Sequence, residues 1–169
     1  SEHALTETAG VFTEQNLRWQ PWEAPVAFAT QVLIRTGAKN NDVLRFGPRF
    51  AVHDFERFGP LFEKCHLQYW VALYAAEFDY AAGYQWQMEH VFQWKVLPEL
   101  LDDRVYIGGF ADHVIDHASG TDATWVEEAQ LGVRMVGEWY LVAEQRYNGF
   151  RRGQEASLGL GVEYVVRFK

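Results

Sequence analysis

The last segment of the chain constrains the fold most strongly, because its residues alternate between apolar and polar or small types over residues 156–168. A period of two places the apolar side chains on one face of an extended strand. Strands of soluble proteins are usually about five or six residues long. A longer strand suits a tilted membrane-spanning strand, which needs about 9–11 residues. The apolar positions are Ala156, Leu158, Leu160, Val162, Tyr164, Val166 and Phe168.

The same segment resembles the C-terminal signal of bacterial outer-membrane β-barrel proteins, in which a last strand of alternating apolar residues ends in Phe. In this chain Lys169 follows Phe168, which is a departure from that pattern. The resemblance implies a Gram-negative outer-membrane location and contact with the lipid bilayer and with lipopolysaccharide. It also implies recognition of this strand by the outer-membrane assembly machinery. The last strand of a soluble barrel is the alternative interpretation.

Composition excludes several other classes of protein. The longest uninterrupted apolar run, residues 69–76, is far shorter than the roughly 20 residues of a transmembrane helix. Entry into a membrane therefore requires a closed barrel, since without helices only a closed barrel provides hydrogen-bond partners for all backbone N–H and C=O groups. The formal net charge of −8 argues against nucleic acid as a partner. The chain has one cysteine, and its sequence contains neither the spacing of zinc ligands nor a Gly-rich phosphate-binding loop. We therefore predict no cofactor.

Alternation and turn residues predict an all-β domain over residues 25–169, an eight-stranded antiparallel up-and-down barrel. Pro48 lies inside the second strand, so either a bulge occurs there or the strand starts at Arg49. Residues 1–24 are predicted to form a periplasmic arm, with an amphipathic helix as one option. The eight strands are predicted at residues 26–35, 43–55, 66–79, 84–97, 104–112, 125–135, 138–147 and 156–168.

The two faces of the predicted strands differ in polarity. We expect the apolar face to contact lipid, with aromatic belts near its edges formed by Trp86, Trp94, Trp125, Trp139, Tyr164 and Phe168. We expect the charged face to fill the barrel interior, where buried charges must pair or be solvated. This interior is predicted to contain Arg35, Arg45, Arg49, Glu89, Lys95, Glu128, Arg134, Glu138, Glu144, Arg146, Glu163 and Arg167. A membrane anchor, a surface-interaction protein or a small permeation protein fits this arrangement.

A second functional hypothesis concerns the polar segment 112–120. The pair His117 and Ser119 resembles the His-x-Ser pair of the outer-membrane lipid A deacylases, which also use a later Glu; here Glu127 is the candidate. The resemblance implies an acyl hydrolase acting on lipid A or phospholipid. Gly120 stands where that family has Asn, and the pair lies farther from the C-terminus, in a predicted loop.

Two further interpretations remain open from the sequence. The side chains of Asp112, His113, Asp116 and His117 are of the types that bind a divalent cation. Alternatively, the chain forms a soluble lipocalin-like barrel that binds an apolar ligand inside. In that case the apolar faces point inward and the charged faces form an ordinary surface.

Overall fold

The computed structural model describes residues 12–35, 42–79, 83–116, 125–149 and 155–166, which form one antiparallel sheet of nine strands in chain order. A 3₁₀ turn, Val52–Asp54, and the short helices α1 (Gly59–Lys64) and α2 (Pro98–Leu101) lie in the connections. The strands are β1 Phe12–Trp19, β2 Val26–Arg35, β3 Val43–Ala51, β4 Leu67–Asp79, β5 Gly83–Lys95, β6 Val105–Asp116, β7 Trp125–Val136, β8 Trp139–Asn148 and β9 Ala156–Tyr164.

The all-β class is therefore confirmed, and so is the antiparallel up-and-down order. The predicted segment 26–35 coincides with β2, and the other predicted strands overlap β3 to β9. The agreement follows from the period-two pattern, which only an extended backbone converts into two chemically distinct faces.

The predicted number of strands is wrong, because the segment assigned to an arm contributes β1. This strand pairs with β2 from Phe12 opposite Arg35 to Trp19 opposite Phe28. Its side chains also alternate: Leu17 and Trp19 are exposed on one face, while Glu14 bonds to a residue of β2 on the other. The alternation is too short and too polar to separate a strand from a surface helix by pattern alone.

The predicted closed barrel is also not formed. Within the described residues, β1 pairs with β2 alone and β9 pairs with β8 alone, so the sheet has two free edges. An odd number of strands excludes antiparallel closure, because the first and last strands of a nine-stranded antiparallel meander run in the same direction.

Strand β6 extends beyond its predicted end at residue 112. Its pairing continues through His113, opposite Trp125, to Asp116, opposite Trp86. The first four residues of the predicted loop 113–124 are therefore strand, because partners on both neighbouring strands satisfy their backbone groups. Residues 117–124 lie outside the described part of the chain.

The irregularity predicted at Pro48 is a bulge. The register between β3 and β4 shifts between Phe46 and Arg49. Proline cannot donate to a ladder, and a bulge removes that requirement. The preceding Gly47 lies very close to the β4 backbone, because a Cβ atom at this position would stand 1.9 Å from the carbonyl oxygen of Leu73.

The sheet is strongly curved. The hydroxyl of Tyr106 on β6 donates a hydrogen bond to Glu163 on β9, three strands away. In a flat sheet these strands would lie about 14 Å apart, so the contact requires the sheet to curl around it. At the other edge, Glu14 of β1 lies within electrostatic range of Asp112 of β6. The concave side is called the inward face below, and the convex side the outward face.

The two ends of the sheet also differ. The connections β1–β2, β3–β4, β5–β6 and β7–β8 all lie at one end, which is called the turn end below. Both short helices and the 3₁₀ turn belong to this end.

Gly47 provides a test of the close approach between β3 and β4. We expect Gly47→Ala to lower the free energy of unfolding by about 1–3 kcal/mol, because the new methyl group meets backbone rather than a movable side chain. Gly159→Ala on β9 is the matched control, since its Cβ would have Glu144 Cβ at 4.0 Å as its nearest neighbour. Denaturant titration followed by circular dichroism measures both; equal stabilities would contradict the described approach of β3 to β4.

Candidate functional site

The inward face of β1 to β6 carries a set of polar side chains, called the interior polar cluster. Period-two alternation places them there, because each lies opposite an inward residue of the neighbouring strand. Gln87 is 1% exposed and Gln31 is 3% exposed, so the centre of this cluster is buried. Its members are Glu14, Gln31, Arg45, Arg49, Tyr74, Gln87, Glu89 and Asp112.

Hydrogen bonds connect the cluster across three strands. Gln31 Nε2 donates to Glu14 Oε1 at 3.0 Å, and Arg45 Nη1 donates to Gln31 Oε1 at 2.6 Å. Asn16 Nδ2 donates to the same Glu14 oxygen at 2.7 Å. An amide with one donor and one acceptor in use thus connects a carboxylate to a guanidinium, which fixes β1, β2 and β3 relative to one another.

Two carboxyl groups of the cluster face each other. Glu89 on β5 lies directly opposite Asp112 on β6. Like charges in this position destabilise a sheet unless neighbouring groups compensate. Arg45 lies within electrostatic range of both carboxyl groups, and the Tyr74 hydroxyl donates to Glu89 Oε2 at 3.4 Å.

Several buried atoms of the cluster have no hydrogen-bond partner among the described residues. These are Arg49 Nε, Gln87 Nε2 and Asp112 Oδ1, of which the last two belong to side chains that interact with each other. The Arg49 guanidinium instead lies over the Trp70 ring, 4.9 Å from its centroid, which is a cation–π contact. Buried donors and acceptors of this kind bind water or a polar solute in folded proteins.

A second inward group lies across β6 to β9. Gln130 Nε2 donates to the Tyr106 hydroxyl at 2.6 Å, and that hydroxyl donates to Glu163. The Tyr106 ring also contacts the Tyr140 ring edge-on, with centroids 5.6 Å apart. Gly132 leaves room for the Tyr106 ring, because a Cβ at that position would stand 2.1 Å from a ring carbon. The group therefore connects four strands through one side chain.

The outward face is apolar and exposed. Leu160 is 82% exposed and Leu158 is 79% exposed. Aromatic pairs lie on the same face, such as Trp139 and Tyr164 with ring centroids 4.7 Å apart. A one-layer sheet in water would place its apolar face in contact with other parts of the protein. Further exposed outward residues are Trp19, Phe28, Ile34, Phe46, Phe78, Trp86, Trp94, Trp125, Leu131, Val136, Leu141, Val162 and Val166.

The charges predicted for the interior fall into three sets. Arg45, Arg49 and Glu89 belong to the interior polar cluster, and Glu163 belongs to the second inward group. Glu128 and Arg146 form an inward ion pair at 3.9 Å across β7 and β8, beside Glu144. The remaining positions lie nearer the strand ends or outside the described side chains.

Two of those remaining residues form ion pairs at the turn end. Lys95 Nζ contacts Asp103 Oδ2 at 2.8 Å, and Arg134 Nη2 contacts Asp102 Oδ2 at 3.8 Å. Glu138 immediately precedes β8. The predicted side-chain positions of Arg35 and Arg167 lie outside what the structure describes.

Sequence reasoning missed the neutral residues of the interior. Gln31, Tyr74, Gln87, Tyr106 and Gln130 all take part in it, although only charged residues were predicted there. A signal was present, because Gln87 alternates with apolar neighbours in the same register as Glu89. The hydroxyl and amide groups matter because they both donate and accept, which charged side chains of one sign cannot do.

The predicted hydrolase residues are not brought together by the described structure. His117 and Ser119 lie outside the described residues, while Glu127 is exposed on β7 opposite Tyr147. The predicted role of these three residues is therefore untested.

The predicted divalent-cation site does not form at the residues that are described. Successive residues of a strand point to opposite faces, and Asp112 lies in the inward cluster while His113 stacks on Trp125 with centroids 4.3 Å apart. Among all described residues, no group of three or more His, Cys, Asp or Glu side chains is arranged to hold a metal ion.

Comparison with known proteins gives no family. No protein-family model, curated protein or solved structure matches this chain. Within the described ranges, no helix has the length and apolar character needed to cross a membrane.

Tyr106 provides a test of the second inward group. We expect Tyr106→Phe to lower the free energy of unfolding by about 1–3 kcal/mol, because Glu163 and Gln130 lose a shared partner inside the curved sheet. Tyr140→Phe is the matched control, since its ring contacts Tyr106 while no described hydrogen bond involves its hydroxyl. Denaturant titration of both variants checks the difference, and equal losses would show that the hydroxyl of Tyr106 contributes nothing.

Proposed function

We propose that this chain is an integral β-sheet protein of a lipid bilayer, the bacterial outer membrane, in which the outward face contacts lipid. The observation that carries the proposal is the inverted polarity of the curved sheet. Buried side chains on the inward face include Gln31, Arg49 and Gln87, whereas the outward face exposes Leu, Val, Phe and Trp. In water, apolar side chains prefer the inside of a protein and polar side chains the outside. A lipid environment reverses this preference, because it stabilises apolar side chains on the outside.

Many large apolar side chains of the sheet are exposed. Burying one large apolar side chain contributes about 1.5–3 kcal/mol. Leu158, Leu160 and Val162 of β9 alone are 68–82% exposed, and every described strand except β6 carries an exposed large apolar residue. Lipid contact recovers this energy over a surface much larger than the apolar patches of monomeric soluble proteins.

Membrane insertion also sets a condition on the sheet edges. Unpaired backbone groups in hydrocarbon cost several kcal/mol each, so an inserted sheet must close. Closure by a parallel pair between β1 and β9 would retain every strand pair of the described sheet. Closure between β9 and β2 would give the eight-stranded antiparallel barrel predicted from the sequence, with β1 displaced. The proposal is that one of these pairings forms in the membrane.

The proposed orientation follows from the connections. The turn end faces the periplasm, and the other end faces outward, where contact with lipopolysaccharide occurs. Trp94 and Trp139 lie on the outward face near the turn end, as aromatic residues do at a membrane interface. Strand β9 is the segment proposed to be recognised by the outer-membrane assembly machinery.

The interior polar cluster favours a closed interior over an open channel. Tyr74 and Gln87 are the largest side chains that are fully buried among the described residues, and both point inward. Small barrels are filled by side chains in this way and leave no aqueous channel. Among the predicted roles, a membrane anchor or surface-interaction protein is therefore better supported than a permeation protein.

The orientation of the faces argues against the lipocalin-like alternative. A barrel that stores an apolar ligand needs an apolar interior, but the inward faces carry Arg49, Glu89 and Asp112 at their centre. The proposed protein keeps polar groups inside and apolar groups outside.

A pair of Leu→Arg variants tests the proposal. Leu160 on β9 and Leu100 on α2 are similarly exposed, at 82% and 78%. We expect Leu160→Arg to destabilise the lipid-inserted protein by about 2–4 kcal/mol, because the charge enters the bilayer centre. We expect Leu100→Arg to change stability by about 0.5 kcal/mol or less, since α2 lies at the turn end.

The measurement is reversible folding into phospholipid vesicles, followed by denaturant titration. If both variants behave like the parent protein, and the parent stays monomeric in buffer without detergent, then the outward face does not contact lipid and the proposal fails.

A further inference from the structure

A cavity of about 410 Å³ lies at the turn end of the sheet, between α1 and the ends of β4 and β5. Its volume falls within the range of about 300–1,000 Å³ that is typical of small-molecule sites. It is separate from the interior polar cluster, since none of the cluster residues lines it. The proposed membrane function does not use it.

The wall formed by the β3–β4 connection is held firmly against the sheet. Phe62 of α1 stacks on Tyr69 of β4, with ring centroids 6.3 Å apart and planes 8° from parallel. The backbone N–H of Tyr69 donates to His53 Nδ1 at 3.1 Å. The same Nδ1 lies 3.0 Å from the Tyr69 carbonyl oxygen, so the imidazole contacts both backbone polar groups of Tyr69, and its tautomer determines which of the two it bonds. Both His53 and Phe62 line the cavity, which is therefore formed in advance of binding.

The opposite wall presents two side-chain amides next to each other. Gln68 on β4 lies directly opposite Gln93 on β5, and both line the cavity. Each amide has a donor and an acceptor. Glu63 of α1 adds a carboxylate from the other side. In the described part of the chain, no side-chain hydrogen bond involves Gln68, Gln93 or Glu63, so their polar groups are available to a ligand.

The charges around the cavity select against an anion. Lys95 is already paired with Asp103, with Nζ and Oδ2 2.8 Å apart. Asp54 and Glu63 then leave the lining acidic. A neutral molecule with many hydroxyl groups suits adjacent amides, because a hydroxyl also donates and accepts. Phe62 of α1 supplies apolar contact to the C–H groups of such a molecule.

We propose that this cavity binds a neutral carbohydrate, with Gln68 and Gln93 as the principal hydrogen-bonding residues. Hydroxyl groups of the sugar bridge the two amides, and Glu63 accepts a further hydrogen bond from the α1 side. The site faces the turn end and stays accessible whether or not the outward face lies in lipid.

The test is a titration of the full chain with maltose, cellobiose and N,N′-diacetylchitobiose, followed by saturation-transfer NMR. The protein is kept in an amine-oxide detergent, which carries no sugar, or in plain buffer if it stays soluble. We expect saturable binding of at least one sugar in the millimolar range or tighter. We expect the double variant Gln68→Ala/Gln93→Ala to weaken it at least about tenfold, since two side chains lose hydrogen bonds.

Gln145→Ala is the matched control, because Gln145 is an exposed glutamine on β8 outside the cavity. The affinity of this variant for the sugar should equal that of the parent protein. Glu63→Ala tests the site from α1 and should also weaken binding. The inference is overturned if no sugar saturates a folded parent protein, if both site variants bind like the parent, or if glucose 6-phosphate binds more tightly than the neutral sugars. Lipid insertion of the Leu160→Arg variant is measured separately, so failure of one proposal is distinguishable from failure of the other.

Discussion

Hydrogen-bonded pairing of consecutive strands is the interaction on which this molecule depends. The described residues bury few apolar side chains, and Ala29, Ala72 and Tyr74 form their buried cluster. Other described features depend on the hydrogen-bonded ladder between neighbouring strands. The bulge at Pro48 shifts the register of that ladder, and the contact of Tyr106 with Glu163 forms across strands that the ladder holds together. A sheet of this kind gains little from a hydrophobic core, because few of its described apolar side chains are buried against one another.

The curvature of the sheet encloses the side chains of its inward face. In a flat sheet, Glu14 of β1 would lie far from Asp112 of β6, and the carboxyl groups of Glu89 and Asp112 would face water. Curling brings arginines, amides and a tyrosine hydroxyl around them. A buried carboxyl pair is tolerated when such groups surround it, and the resulting network specifies the position of each strand.

The strands from β2 to β9 were predictable, because each repeats its polarity every two residues and ends at turn residues. The inward position of Arg45, Arg49 and Glu89 was also predictable, since alternation assigns every residue of a strand to one face. Strand β1 was not, because a short polar segment with two outward apolar residues, Leu17 and Trp19, acquires its strand conformation only by pairing with β2. Its backbone hydrogen bonds come from another part of the chain.

The sequence by itself determined the all-β class, the chain-order pairing and the separation of polar from apolar faces, because these follow from local alternation and short connections. Only the tertiary structure decided the number of strands, the open edges, the hydrogen-bonded partners of Gln31 and Tyr106, and the cavity beside α1. These features join residues that are distant along the chain. Which distant residues meet depends on the total twist and curl that accumulate over the nine strands of the sheet. No single segment of the sequence encodes that total.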